Sequence, residues 1–276
     1  MESRRDFLKK AAVAAAGLTI VPSKTIAGLG HKAPSDTMNI VGIGIGGKGH
    51  PNLVGMKTEN IIGLCDIDWK YAKNCFEEFP DAKRYWDWRK MFDELGDQID
   101  GVMVATPDHT HATIAATALT MGKHVYCQKP LTHSVYESRL LTKLAAKYKV
   151  ATQMGNQGHN IEGTMQTVEW IQGGVIGDVR EVHLWTNRPM WRQGYFDRPA
   201  GVDIPSNLNY DVWLGPAPDK PYNPEMLHFA WRGLWDYGTG AMGDMGAHTF
   251  DAPIWALNLG MPTKIQATST PYNKDY

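Results

Sequence analysis

A carboxylate and an imidazole stand four residues apart in the last fifth of this sequence. Asp244 and His248 belong to the segment 238–251, and on a helix residues at this spacing share one face. A carboxylate beside an imidazole would orient it and partly charge it for proton transfer. Glycines at 238, 240, 243 and 246 disfavour a freestanding helix, so we expect close packing against a cofactor or a sheet. The alternative is a helix-capping aspartate and a core histidine.

A lysine beside a proline is the third residue with suitable chemistry. Residues 124–127 predict a buried strand, and Lys129 stands just after it, before Pro130. Ligands of parallel α/β sheets bind at the carboxyl ends of the strands. An ammonium group at this position would therefore point into the ligand crevice, whereas the alternative is a solvated surface lysine.

A glycine-rich turn indicates a nucleotide cofactor. Gly44-Ile45-Gly46-Gly47-Lys48-Gly49 follows the apolar run 39–43 and precedes a helical stretch. Glycines in this context let the backbone approach a pyrophosphate at the helix N-terminus. Asp66 ends the next apolar run, close to the spacing of an acid that binds ribose hydroxyls. Because a carboxylate repels a 2′-phosphate, we predict NAD rather than NADP; a strand-end carboxylate is the alternative.

Alternating strands and helices predict a doubly wound parallel sheet over residues 37–154. Strands are predicted at 39–43, 61–65, 83–86, 101–105, 124–127 and 150–154, and helices at 50–57, 71–79, 88–95, 113–121 and 134–148. The loops after the strands should face one crevice. From these loops and their neighbours we assign to the cofactor Gly44, Gly46, Gly47, Lys48, Gly49, Asp66, Thr106, Pro107, His111 and Gln128. His109 and His111 form an HxH pair without a third ligand at a suitable local spacing, so we predict no metal site.

Composition excludes some functional classes. The 276 residues carry 28 Lys plus Arg against 29 Asp plus Glu, and a net charge of −1 gives no support to nucleic-acid binding. The 3 cysteines include no CxxC pair, which argues against structural zinc, and they cannot form a closed disulfide framework.

The N-terminal segment predicts export. Ser3-Arg4-Arg5-Asp6-Phe7-Leu8-Lys9 is a twin-arginine motif, and the apolar run 11–21 is far shorter than the roughly 20 residues that span a bilayer. We therefore expect residues 1–36 to be a signal peptide and linker that the twin-arginine translocase recognises, with a periplasmic protein as the result. A basic amphipathic helix is the alternative.

The order of these motifs resembles the Gfo/Idh/MocA oxidoreductases, the family of glucose–fructose oxidoreductase and inositol dehydrogenase. The glycine turn, Cys65-Asp66, Thr106-Pro107, Lys129-Pro130 and Asp244-x-x-x-His248 carry the resemblance, which covers residues 39 to about 265. The segments 155–159, 185–189 and 213–218 look like an exported bacterial branch of that family.

The resemblance implies two domains. A Rossmann domain at 37–154 precedes a substrate-binding α/β domain at 155–276, with an open, mainly antiparallel sheet that often carries oligomer contacts. We expect a helix at 162–171, a strand near 179–185 and a homo-oligomer. Family members generally continue past the point that matches Tyr276, so we expect the second domain to be incomplete.

The resemblance also implies roles for the three polar residues. Lys129 would hydrogen-bond the reacting hydroxyl, and His248, paired with Asp244, would accept its proton. The usual motif is Glu-Lys-Pro, whereas this chain has Gln128. The implied activity is hydride transfer between a sugar or cyclitol carbon and NAD. A redox-neutral NAD-dependent glycosidase and a non-catalytic carbohydrate-binding protein are the alternatives.

The second half is rich in tryptophan and arginine, which suit a sugar substrate. Aromatic faces stack on sugar C–H surfaces, and guanidinium groups bind hydroxyls or carboxylates. We expect Asn156, Arg188, Trp191 and Arg192 to contact the substrate. The alternative for the large aromatics is a place in the core.

Overall fold

Six short segments pair into one parallel sheet, and the four inner strands are the more apolar ones. The computed structural model describes residues 36–188, 190–192, 197–269 and 271, and the residues from Asn39 onward form one compact unit. The strands are β1 (Asn39–Ile43), β2 (Asn60–Cys65), β3 (Lys83–Tyr85), β4 (Gly101–Val104), β5 (His124–Gln128) and β6 (Thr152–Gly155). Their order is β3-β2-β1-β4-β5-β6, and every pair is parallel. This confirms the predicted doubly wound sheet.

Helices connect these strands and continue into the second half. They are α1 (Gly49–Gly55), α2 (Lys73–Glu78), α3 (Trp88–Leu95), α4 (Asp108–Thr120), α5 (Val135–Tyr148), α6 (Glu162–Gln172), α7 (Tyr210–Leu214), α8 (Gly240–Thr249) and α9 (Asp251–Leu257). Short 3₁₀ turns occur at Gly96–Gln98, Gln157–Asn160 and Ala230–Gly233. The twin-arginine signal predicted within residues 1–36 lies outside the described residues, except for Asp36.

Buried side chains on one face of the sheet form the main core together with helices α3, α4 and α5. Val41 and Val104 on the central strands are fully buried, and Ile114 and Leu119 of α4 pack with them. Parallel strands covered on both faces are apolar throughout rather than alternating. The four-residue strand β4 is buried along its whole length, as this rule requires.

Helix α4 begins at Asp108, five residues earlier than the sequence prediction. Pro107 has the extended conformation of an N-cap residue (φ −62°, ψ 153°), and Asp108 lies in the first helical turn. A carboxylate at this end is stabilised by the helix dipole. His109, Thr110 and His111 are therefore helical and buried, rather than part of an open loop.

The second half packs around a separate aromatic core. Tyr237 is fully buried, and Trp213 and Trp231 lie beside it in one cluster. The predicted strand near 179–185 is absent: residues 178–188 lack regular structure. A strand needs a partner that accepts its backbone hydrogen bonds, and within the described residues the six strands above form the only sheet. The predicted helix at 162–171 is confirmed as α6.

Across the described part of the chain, none of the helices has both the length and the apolar character needed to span a membrane.

Candidate active site

The glycine turn between β1 and α1 is built around close backbone contacts. Gly44 has a positive φ of 78°, and its N–H donates to the carbonyl of Cys65 at 2.9 Å. A Cβ atom on Gly44 would lie 2.7 Å from the backbone of Thr106, and one on Gly49 would overlap the carbonyl oxygen of Gly44. The turn therefore requires glycine at both positions, and it leaves the backbone open to a ligand. These residues fit a dinucleotide pyrophosphate.

A cavity of about 400 Å³ opens beside this turn. Its lining includes six of the residues predicted for the cofactor, namely Gly44, Gly47, Lys48, Asp66, Thr106 and Pro107. The cavity lies at the carboxyl ends of the strands, where ligands of doubly wound sheets bind. We conclude that the cavity has the position and the lining expected for a dinucleotide site.

Asp66 joins the glycine turn to the end of β2. Its carboxylate accepts the N–H of Gly46 at 2.8 Å and the N–H of Asp68 at 3.0 Å. Burial raises the pKa of Asp66 to about 6, although both backbone N–H groups and the His228 ring oppose the rise. The carboxylate lines the cavity, so it can meet a ribose there.

A stacked pair of rings, one from each half of the chain, lines this cavity, and sequence reasoning did not find it. His228 stacks on Tyr71 with 4.0 Å between ring centroids, and its Nε2 lies 3.1 Å from a carboxylate oxygen of Asp68. The Tyr71 ring lies where a side chain on Gly46 would be. No spacing rule connects residue 71 with residue 228, so only the fold brings them together.

His109 and His111 hydrogen-bond to backbone carbonyl groups from other parts of the chain. The His109 ring lies 2.9 Å from the carbonyl of Trp213, and burial lowers its pKa to about 4. The His111 ring bridges the carbonyls of Thr106 (2.7 Å) and Pro130 (2.9 Å). Burial alone would lower the pKa of His111. Its contacts with Cys127, Asp108 and Pro130 outweigh burial and raise the pKa to about 9.

Four of the ten cofactor assignments do not line the cavity: Gly46 and Gly49 of the glycine turn, and His111 and Gln128. His111 is 1% exposed and ties the loop after β4 to the loop after β5. Gln128 is also buried, and its amide lies against Gly155 of the neighbouring strand, where a Cβ would come within 2.6 Å of it. Both residues support the loops rather than line the space, because their polar atoms are turned toward protein.

Lys129 reaches the second half of the chain through Asp244. Its ammonium donates to Asp244 Oδ1 at 2.8 Å and to the Asp244 carbonyl at 2.9 Å. Arg232 donates its Nε–H to the same Oδ1 at 3.3 Å and also lines the cavity. Sequence reasoning did not assign Arg232 a role, although its position between two tryptophans was a signal. Asp244 therefore joins the lysine to the cavity wall.

His248 has an amide as its partner rather than Asp244. Its Nδ1 lies 3.0 Å from Asn156 Oδ1, whereas Asp244 is bonded to Lys129 and Arg232. This differs from the predicted carboxylate–imidazole pair, because the Asp244 carboxylate accepts hydrogen bonds from Lys129 and Arg232 instead. Burial and then the Lys129 charge lower the pKa of His248, and the Asp244 charge opposes them. His248 is therefore mostly neutral near pH 7.

Comparison with known proteins identifies the family. Residues 37–156 match the family model described as oxidoreductase family, NAD-binding Rossmann fold, and residues 185–275 match its C-terminal alpha/beta domain. The chain belongs to the Gfo/Idh/MocA family. The resemblance read from the motif order is confirmed.

Individual members of the Gfo/Idh/MocA family are similar at moderate identity. Glucose-6-phosphate 3-dehydrogenase of Bacillus subtilis is 29% identical over 223 residues, which cover 80% of this chain and 53% of the relative. Inositol 2-dehydrogenase of Salmonella paratyphi B is 26% identical over 148 residues, covering 52% and 44%. A solved oxidoreductase domain protein from Kribbella flavida has a TM-score of 0.57 at 23% identity, covering 80% and 54%. The chain spans about half the length of these relatives.

The residues predicted for the substrate are divided between two places in this Gfo/Idh/MocA chain. Asn156 contacts His248, and Arg188 is exposed yet near enough for its charge to lower the pKa of that histidine. Trp191 and Arg192 line a second cavity of about 270 Å³. Trp191 is buried against Phe229 there, so its ring belongs to the core rather than to an open rim.

Proposed function

We propose that this chain is an NAD-dependent oxidoreductase that transfers a hydride between a hydroxyl-bearing carbon of a sugar or cyclitol and the nicotinamide. The observation that carries the proposal is the meeting of Lys129 with Asp244 and Arg232 next to the glycine-turn cavity. The positive charge of Lys129 lowers the pKa of His248, so the two groups interact. We infer from this that a hydrogen-bond donor and a proton acceptor act together near the cavity that Arg232 lines.

Lys129 is placed to stabilise negative charge on a hydroxyl oxygen. Two of its N–H groups are directed to Asp244, one to the side chain and one to the backbone. An ammonium group has three donors, so one is available for a substrate. A fixed donor aimed at a developing alkoxide is often the largest single contribution to catalysis.

His248 is placed to accept the hydroxyl proton. Its lowered pKa keeps the ring neutral near pH 7, so that a lone pair is available. Asp244 holds Lys129 in place and does not bond to the imidazole. Bound NAD would supply the hydride acceptor, and the residues that would hold it are the glycine turn, Lys48, Asp66, Thr106 and Pro107.

The substrate class and the preference for NAD are part of the proposal. Two of the relatives named above are a glucose-6-phosphate 3-dehydrogenase and an inositol 2-dehydrogenase, which supports a polyhydroxylated ring as substrate. The Asp66 carboxylate on the cavity wall supports NAD over NADP, since it would repel a 2′-phosphate.

The proposal also covers the cellular location and the oligomeric state of the protein. The twin-arginine motif supports export to the periplasm by the twin-arginine translocase. We also propose a homo-oligomer, because the family resemblance implies that the C-terminal α/β domain, which this chain matches over residues 185–275, often carries oligomer contacts.

Two assays on the purified protein test this function. In the first assay, denaturation should release bound NAD or NADH. In the second, the native protein supplied with NAD should form net NADH when a sugar or cyclitol is added. Cleavage of glycosides without net NADH would replace the proposal with a redox-neutral glycosidase. A protein with no bound nucleotide, no affinity for NAD and no turnover would contradict an enzymatic function.

A further inference from the structure

Asn156 connects the end of β6 to helix α8. It precedes the 3₁₀ turn Gln157–Asn160, and its side chain makes two hydrogen bonds to consecutive residues of α8. The amide Nδ2 donates to the carbonyl of Ala247 at 3.0 Å, and the amide Oδ1 lies 3.0 Å from His248 Nδ1. One side chain thus contacts the backbone just before the histidine and the histidine ring itself.

The Ala247 carbonyl determines which way the Asn156 amide faces. A backbone carbonyl oxygen can only accept a hydrogen bond, whereas the amide has one accepting oxygen and one donating nitrogen. Turning the amide over would place two oxygen atoms against each other at Ala247. The Asn156 oxygen must therefore face His248.

The direction of the second bond then determines the protonation of the ring. Since Asn156 Oδ1 can only accept, His248 Nδ1 must carry the hydrogen. A neutral imidazole has one N–H and one lone pair, so the lone pair lies on Nε2. A base at this position can accept a proton only through that nitrogen.

We propose that Asn156 is a positioning residue, which holds His248 in the tautomer whose Nε2 accepts the proton from the substrate hydroxyl. This inference rests on the proposed function for the identity of the proton donor. The tautomer itself follows from the hydrogen bonds and needs no substrate. It assigns Asn156 a role different from the substrate contact expected from the sequence, since both polar atoms of the amide face α8.

The charged groups around the ring explain why a neutral partner is used. Lys129 and Arg188 act on His248 as positive charges, and Asp244 and Asp251 act as negative ones. Both carboxylates have other partners: Asp244 holds Lys129, and Asp251 lies 2.9 Å from the His159 ring. An amide fixes the ring without adding the negative charge that would favour the imidazolium form, and a charged ring could not act as a base.

Nitrogen NMR of the full chain tests the tautomer directly. The protein has 10 histidines, and the signals of His248 are those lost in a His248→Gln variant. In the wild type above pH 8, we expect a protonated Nδ1 and an unprotonated Nε2. Asn156→Ala should shift the ring toward the Nε2–H form, which an unconstrained histidine side chain favours in water. An Nε2–H ring in the wild type, or an unchanged ring in Asn156→Ala, would overturn the inference.

An isosteric change separates positioning from a merely structural role. Asn156→Asp puts a carboxylate beside Nδ1 and should raise the pKa of His248, measured by NMR titration and as the acid limb of kcat/KM. The matched control is Asn160→Asp, the same change at an exposed residue that ends the same turn. If both variants move the titration equally, or neither moves it, the inference is wrong.

Turnover provides a second measurement. Asn156→Ala should lower kcat by at least about tenfold and should leave KM nearly unchanged. The loss should not exceed the ~10²- to 10⁴-fold that a positioned base contributes in total. An unchanged kcat in an active enzyme would overturn the inference. If no substrate is found, the proposed function fails, while the NMR result still decides the tautomer.

Discussion

Lys129 donates to Asp244 twice, at 2.8 Å to the carboxylate and at 2.9 Å to the main-chain carbonyl, across 115 residues of sequence. The double contact fixes the loop after β5 against helix α8. Asp108 makes a similar link at the start of both α4 and α8, where its carboxylate accepts the N–H and the hydroxyl of Thr239. Helix α8, which carries Asp244 and His248, is thus held at two points.

Substitution of Lys129 should remove turnover and leave the cofactor in place. We expect Lys129→Met to lower kcat by ~10² or more, because a charged donor at the alkoxide is lost. Lys129 does not line the cavity beside the glycine turn, so retained NAD should be measured at the wild-type level after denaturation. The control is Lys143→Met, at an exposed lysine of α5, which should keep full activity. Near-normal turnover in Lys129→Met would exclude the assigned role.

Two glycines at opposite ends of α1 should respond differently to alanine. Gly49→Ala introduces a Cβ that overlaps the Gly44 carbonyl, so the turn must move. We expect this variant to lose measurable NAD binding in a titration. Gly55→Ala meets nothing within 4 Å and should raise the free energy of unfolding by up to about 1 kcal/mol. Equal NAD affinity in the two variants would show that the turn does not bind the cofactor.

Titration of His248 should respond to the charge of Lys129. Because burial and that ammonium lower the pKa of His248, the free protein should titrate below pH 6.5, the usual value for histidine. Lys129→Met removes one lowering influence and leaves Asp244 to raise the pKa, so the NMR titration should move to higher pH. A shift to lower pH would mean that the two groups are not neighbours.

Burial of His109 makes the folded state sensitive to acid. Its pKa is about 4 when folded and about 6.5 when unfolded, so the unfolded chain binds the proton first as the pH falls. The stabilisation by the neutral ring is complete above pH 6.5 and is lost toward pH 4. Between pH 7.5 and 5, the wild type should lose about 2 kcal/mol more unfolding free energy than His109→Gln. Urea denaturation at both pH values measures this difference, and parallel losses would contradict the assignment.

The sequence predicted the sheet well because its signals are local. Each of the four inner strands is a short, mainly apolar run, and the glycine turn identifies the first strand–helix connection. Lys129 and Asp66 were placed at strand ends by the same logic, which depends only on the parallel topology. The start of α4 was placed too late, at residue 113, because sequence reasoning did not identify Pro107 as the N-cap residue of this helix.

Hydrogen-bond partners could not be predicted in the same way. The i,i+4 spacing puts Asp244 and His248 on one face of α8, yet it does not decide which neighbour each contacts. Lys129 and Arg232 compete for the carboxylate, and Asn156 takes the imidazole. Lys129 and Asn156 come from distant parts of the chain, so their pairings depend on how the second half packs against the sheet.

The absorbance of reduced nicotinamide in NAD-loaded protein tests the central claim most directly, that Lys129 and His248 act on one hydroxyl-bearing carbon. After mixing with a panel of sugars and cyclitols, the wild type should form NADH with at least one of them. Lys129→Met and His248→Gln, loaded with the same amount of NAD, should form it at least ~10²-fold more slowly. Reduction at the wild-type rate in either variant would contradict the account.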